Sequence, residues 1–179
     1  MNLMLHICCA PCSIFSWKYF LELGYDPLGY FFNPNIHPYR EFSSRLESLR
    51  KLAKKEGWQI FTDERYLMEE FLRLAVSAGD ERCRLCYELR LRETAQQARY
   101  QGIGSFSTTL LLSPYQNHEL LKSVGDDVGL QARVNFVYAD LRPGFRESME
   151  QARGKELYRQ KYCGCIFSEK ERFYKPNDR

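Results

Sequence analysis

Leu3-Met4-Leu5-His6-Ile7-Cys8-Cys9-Ala10-Pro11-Cys12 is a short, mostly apolar run that breaks straight into three thiols. Its apolar part has the length and character of a buried strand, and Ser13 to Leu23 reads as a helix that Gly24 ends. The same alternation continues outward from this stretch. Leu28 to Phe32 predicts a second strand, closed by the turn Asn33-Pro34-Asn35. From Pro38 to Glu56 the apolar residues Tyr39, Phe42, Leu46, Leu49 and Ala53 recur at steps of three and four, a helical stripe with Gly57 as its stop. Trp58 to Phe61 predicts a third strand, Arg65 to Ser77 a helix before Gly79, and Asp80 to Tyr100 another helix before Gly102. Ser105 to Leu112 predicts a fourth strand, Pro114 to about Lys122 a short helix, and Val134 to Tyr138 a fifth strand. Strands alternating with helices imply an α/β fold, a mainly parallel sheet with flanking helices whose ligands sit beyond the carboxyl ends of the strands. The loops expected to converge there are the thiol stretch, the segment after Ser113, and Asp140-Leu141-Arg142.

The chain has 179 residues, enough for one domain over 1–179 that buries roughly two-thirds of its unfolded surface. No repeat, low-complexity segment or linker interrupts it. No apolar run approaches the roughly 20 residues of a membrane span. Met1 to Ile7 lacks the basic flank and long apolar stretch of a secretory signal, so a cytoplasmic protein with no membrane partner is expected. In a reducing compartment seven cysteines argue for metal or redox chemistry and against a disulfide framework. Twenty-six basic and 23 acidic residues leave a net charge of only +3, weak support for a polyanionic partner. Arg82, Arg84, Arg90, Arg92 and Arg99 crowd one cysteine pair and Arg142, Arg146, Arg153, Arg159 and Lys161 lead to another. Glutamates are interleaved with both sets, so a solvated helix face with internal ion pairs explains them as well as phosphate contacts do.

The cysteines are the informative residues. Cys8, Cys9 and Cys12 lie where strand one hands over to helix one, and amides at a helix N-terminus stabilise thiolates. A nucleotide-binding α/β fold would put a glycine-rich phosphate loop here, and His6 to Cys12 contains no glycine, which counts against ATP or a dinucleotide. Cys83 and Cys86 are three apart in a predicted helix, so both sulfurs face one way. A lone cysteine is ordinarily a small buried hydrophobe. A C-x-x-C among arginines, with C-C-x-x-C upstream, instead implies metal binding by some combination of these five. Zinc and an iron–sulfur cluster both accept four thiolates; adjacent cysteines are awkward on one zinc but suit separate corners of a cubane. Cys163-Gly164-Cys165 differs in kind. A single glycine between the thiols permits a sharp bend and a strained, easily reduced disulfide, with two further metal ligands as the alternative.

Four stretches resemble the epoxyqueuosine reductase QueH family: HICCAPC at 6–12, RCRLCYELRL at 82–91, FSTTLLLSPYQN at 106–117 and LYRQKYCGCIFS at 157–168. They span most of the chain in the family's order. The resemblance implies a fold related to the adenine-nucleotide α-hydrolase (Rossmann-like) type, a [4Fe-4S] cluster, and reduction of epoxyqueuosine to queuosine in tRNA. It further implies that Cys8, Cys9, Cys83 and Cys86 hold the cluster and that Cys163 and Cys165 form a redox-active disulfide.

A cluster passes single electrons while a dithiol stores two, so Cys163 and Cys165 are expected to feed the cluster. Cys12, left over from that set, is a candidate to hold a second mononuclear metal, iron or zinc, or to tune the cluster's surroundings. Asp140 is a candidate ligand or proton donor. Their plain alternatives are a packed thiol and a turn carboxylate. The substrate the resemblance implies is the anticodon loop of a tRNA carrying epoxyqueuosine, which calls for phosphate contacts and stacking around one nucleotide. Thr108, Thr109, Ser113, Tyr115, Gln116 and Asn117 are candidates for the base pocket, and Arg159 and Gln160 for a second set; Thr108 and Thr109 also suit a packed strand face. His6 reads as a satisfied core histidine, while His37 and His118 carry no pattern. An electron donor is required and the sequence does not identify it. Competing functions are an iron–sulfur tRNA thiolation enzyme, which should need an ATP loop, and a zinc-binding RNA module without activity.

Overall fold

The computed structural model describes residues 1–176, so the last three residues of the expected single unit lie outside the described residues. Parallel strands β1 (Asn2–His6), β2 (Asp26–Phe31), β3 (Ile60–Thr62), β4 (Ser105–Thr108) and β5 (Asn135–Phe136) form one sheet in the order β3-β2-β1-β4-β5. The helices are α1 (Ala10–Glu22), α2 (Tyr39–Glu56), α3 (Met68–Ala78), α4 (Arg82–Tyr100), α5 (His118–Ala132), α6 (Phe145–Gly154) and α7 (Ile166–Phe173). This is the α/β fold that the sequence pattern implies.

β1 is central and covered on both faces, which is why Leu3, Met4 and Leu5 run consecutively apolar and are fully buried. It pairs with β2 through Leu3↔Pro27 to His6↔Tyr30 and with β4 through Met4↔Phe106 to His6↔Thr108. Gly29 of β2 is required by this packing: a Cβ there would lie 2.7 Å from both Ile7 and Ile60. The chain builds outward from β1 to β3, then returns to lay β4 on the other side. The carboxyl ends of β1 and β4 therefore flank the point where strand order reverses, the usual ligand crevice of such sheets.

Several boundaries differ from the sequence reading. The fourth strand stops at Thr108, and Thr109–Leu112 is a 3₁₀ turn. Thr108 Oγ1 accepts from Leu110 N at 3.1 Å, and the whole turn is buried, so its apolar run mimics a strand. The helix expected from Pro114 begins at His118, because Asn117 caps it by accepting from Leu120 N at 3.0 Å. It continues past Lys122 to Ala132, through Gly125, where the Phe136 ring occupies the space a Cβ would take. Helix α3 starts at Met68 instead of Arg65, whose backbone N–H is held by Asp63 Oδ1 at 3.0 Å. The third strand is Ile60–Thr62, displaced toward the C-terminus from Trp58–Phe61.

Beyond Tyr138 the chain wraps back over the first helix. Ser148 of α6 donates to Pro11 O at 2.7 Å and accepts from Phe15 N at 3.2 Å, so α6 fixes the thiol turn from behind.

Candidate metal and redox centre

Three backbone groups of the turn from β1 into α1 are held by hydrogen bonds. Ile7 N donates to Tyr30 O at 2.8 Å, Asn33 Nδ2 donates to Ile7 O at 2.9 Å, and Cys8 N donates to Thr109 Oγ1 at 3.1 Å. Cys9 is the extended residue before α1, and Pro11 in the first turn lacks an N–H that would have no partner there. The result brings the sulfurs of Cys8, Cys9 and Cys12 within 4.8 Å of one another, all buried. Cys8 and Cys9 sulfurs are 3.6 Å apart, and Thr109 Oγ1 lies 3.3 Å from the Cys8 sulfur. Hydrogen bonds from Cys12 and Cys9 hold the Cys8 thiol well below its ordinary range. The Cys9 thiol is pushed up, mainly by burial, and the Cys12 thiol by its bonds to the Cys8 and Cys9 sulfurs. The triad thus favours one thiolate, with its two neighbours as donors; a bound cation would let the rest ionise.

Gln160 reaches this triad from the far end of the chain. Its Nε2 lies 2.9 Å from the Cys9 sulfur and 3.7 Å from that of Cys12, while its buried Oε1 has no protein partner. Asn35 is fully buried in the loop after β2, and both polar atoms of its amide also lack a protein partner. Orphaned polar atoms are rare in folded proteins. With three soft donors this close, the residues fit a thiophilic metal or an iron–sulfur centre.

Cys83 and Cys86 lie in the first turn of α4, Cys83 exposed and Cys86 half-buried. Burial pushes both thiols up, Cys86 to about 12, with Cys163 also raising each. Cys165, buried, shares a small apolar cluster with Phe71, Ala75 and Cys86. The α4 pair therefore stands on the Cys163–Cys165 side of the site, outside the triad, and Cys12, which the family assignment leaves over, stands within it. Both members of the C-G-C pair are free thiols, Cys163 exposed.

Arg90 joins the two sulfur groups. Its guanidinium is buried, with Nε 3.3 Å from His6 Nε2, Nη1 3.9 Å from the Cys86 sulfur and Nη2 2.8 Å from Asn33 Oδ1. His6 Nε2 stands between this donor and the Phe32 carbonyl, 3.2 Å away, while Nδ1 lies 2.8 Å from Thr108 Oγ1. Burial first, and the Arg90 charge second, pull His6 down to about 3, so it is neutral. His6 is the satisfied core histidine the sequence suggests, and it also orients Arg90.

A second buried arginine, Arg45 of α2, fixes the C-G-C segment. Its Nε donates to Glu41 Oε1 at 2.7 Å, and Nη2 and Nη1 donate to the consecutive carbonyls of Tyr162 and Cys163 at 3.0 Å each. Tyr158 bonds to Glu41, Tyr162 to the His37 carbonyl, and His37 N donates to Gly164 O at 2.8 Å. Gly164 has φ +117°, and a Cβ on it would lie 2.9 Å from Ile36 and 3.2 Å from Arg45. Glycine is therefore needed for this docking as well as for any bend between the sulfurs.

The remaining expected residues are placed as follows. Thr108 and Thr109 are wholly buried, their hydroxyls engaged by His6, Leu110 and Cys8, and they shape the thiol turn. Asp140 is exposed and clasped by Arg142 at 2.6 and 2.7 Å, which holds its carboxyl down at about 2. It is thus an ionised partner of Arg142 at neutral pH. Gln116 Oε1 accepts from Tyr87 Oη at 2.7 Å, Ser113 Oγ accepts from Tyr115 N at 3.3 Å, and Tyr115 is 81% exposed, free to stack. Arg159 is exposed beside Gln160. Sequence reading missed Arg45, Arg90 and Asn33 as organising residues. The one available signal was Glu41 and Arg45, an i,i+4 charge pair set into the apolar stripe of α2.

Comparison with known proteins shows the family. The family model described as epoxyqueuosine reductase QueH matches residues 3–171. Among relatives carrying that name, one from Dehalococcoides mccartyi is 42% identical, covering 98% of this chain and 97% of its own. One from Thermotoga maritima is 33% identical over 96% and 92%, and one from Streptococcus pyogenes serotype M1 is 32% identical over 94% and 71%. A crystal structure described as a predicted subunit of tRNA methyltransferase from Methanocaldococcus jannaschii superposes with a TM-score of 0.56 at 14% identity. It covers 86% of this chain and 74% of that one, a likeness of fold.

Proposed function

The chain belongs to the epoxyqueuosine reductase QueH family, and from that premise we propose that it deoxygenates epoxyqueuosine to queuosine at the wobble position of tRNA, the last step in making that base. The observation that carries the reading is the cysteine cluster at the strand-order reversal, where three thiols lie within 4.8 Å of one another, Gln160 reaches Cys9 and Arg90 reaches Cys86. In this reading Cys8, Cys9, Cys83 and Cys86 hold a [4Fe-4S] cluster, and Cys12 holds or borders a second mononuclear ion, iron or zinc. When bound, such a cluster supplies electrons one at a time.

The protein's own groups account for the stoichiometry. Converting the epoxide to an alkene consumes two electrons and two protons and releases the oxygen as water. Oxidation of the Cys163 and Cys165 thiols to one disulfide yields two electrons and two protons. Exposure of Cys163 suits contact with the external electron donor that must restore the thiols. Tyr115 offers a stacking face for the base, Ser113, Gln116 and Gln160 offer polar contacts, and Arg159 a phosphate partner. Asp140 serves as a metal ligand or as the holder of Arg142. Among the described residues no helix is long and apolar enough to cross a membrane, and a tRNA substrate implies the cytoplasm.

The test is anaerobic incubation of reconstituted protein with epoxyqueuosine-containing tRNA and a chemical reductant, read by nucleoside mass analysis. Loss of about sixteen mass units, one oxygen atom, is expected. A tRNA thiolation enzyme would instead add sulfur, and its ATP loop has no counterpart in the glycine-free thiol turn. A colourless active protein would indicate zinc.

A further inference from the structure

Arg90 is 2% exposed, and among the described residues none of its polar partners is a carboxylate. A buried charge without a counterion is costly, by several kcal/mol for a desolvated ion, and proteins do not keep one without compensation. Its neighbours are a neutral imidazole, an amide oxygen and a sulfur. The imidazole and amide orient the fork; neither balances its charge. Among its polar partners in the described residues, the Cys86 sulfur, 3.9 Å from Nη1, is the one that can carry negative charge. A divalent ion or cubane bound by four thiolates carries net negative charge, so a fixed cation between the two sulfur groups stabilises the loaded site.

We propose that Arg90 is the counter-charge of the sulfur site, a positioning residue that stabilises the anionic metal–thiolate centre spanning Cys8 and Cys86 and raises that centre's reduction potential. The inference rests on the metal-binding part of the reading above and does not depend on the substrate. Asn33 and His6 act through it, by holding the guanidinium plane toward the sulfurs. Adding an electron makes the centre more negative, so a neighbouring cation favours the reduced form and its removal disfavours it.

The experiment compares the wild-type protein with Arg90→Gln and Arg90→Lys. In the apoprotein, cadmium affinity is read from the ultraviolet cadmium–thiolate band; Arg90→Gln is expected to bind about tenfold more weakly, and Arg90→Lys, which keeps the charge without the fork, to recover most of the loss. In anaerobically reconstituted protein, the midpoint potential of the centre should fall in Arg90→Gln by a tenfold change in the reduction equilibrium, about 59 mV for one electron, and by less than half of that in Arg90→Lys. Equal cadmium affinities and midpoints in all three proteins overturn the inference, and so does a lysine variant as displaced as glutamine, since hydrogen-bond geometry alone would then explain the effect. If the wild-type protein takes up no iron and sulfide, the cluster reading falls while the cadmium comparison still decides the role of Arg90.

Discussion

Two arginines are buried beside the same sulfurs and are balanced in opposite ways. Arg45 has a carboxylate: Glu41 sits on its Nε, and its other nitrogens hold two backbone carbonyls of the C-G-C segment. Arg90 has none, and faces an imidazole, an amide and a thiol. The difference separates architecture from chemistry. A buried cation paired within the protein is complete and serves to fix a strap. A buried cation left without a carboxylate is complete only when something anionic occupies the crevice.

Removing the Arg45 charge should have the largest effect. Arg45→Met strands the buried Glu41 carboxylate, and a loss of about 3–5 kcal/mol is expected from urea unfolding. The Glu41→Gln/Arg45→Met pair should recover part of it; a double variant no better than the single would break the contrast. Gly164→Ala tests the same strap more gently. At φ +117° with Ile36 and Arg45 in the way, a methyl should cost about 1–3 kcal/mol in thermal unfolding and lower reductase turnover.

His6 sharpens the Arg90 side. Its folded pKa, about 3, lies below the unfolded value near 6.5, so the stability it contributes is present above about pH 6.5 and is lost as pH falls toward 3. Over that window the loss approaches about 1.4 kcal/mol per pH unit, and His6→Asn should unfold in urea with a shallower dependence between about pH 6 and 4. The smallest effect is expected at Asp140, whose ion pair with Arg142 is exposed. Because the carboxyl is ionised throughout the neutral range, Asp140→Asn should leave the shape of the activity–pH profile between about pH 6 and 8 unchanged. A lost limb there would restore the proton-donor role that its placement argues against.

The sequence reveals the path of the sheet because period and punctuation are local: Leu3 to Ile7 has to be a buried strand, and Gly24 and Gly57 end helices where expected. It also marks Cys8, Cys9 and Cys12 as a cluster, which the fold brings within 4.8 Å. What stays hidden is carried by contacts distant along the chain. Thr108 and Thr109 look like strand or pocket residues until His6 and Cys8 engage their hydroxyls. Gln160, legible as a polar residue beside the C-G-C pair, gives no sign that it would touch Cys9. Nor does the identity of Arg90 tell whether a glutamate faces it, since α4 is rich in both charges and only the fold decides which of its sides is dry.

Cys9 and Gln160 are 151 residues apart, and this spacing has a consequence for biogenesis. At about 5–20 residues per second, translation makes the N-terminal thiols roughly 8–30 s before the residue that will contact them. The Gln160 amide, on the segment between α6 and α7, is thus the last of the triad's described partners to be made.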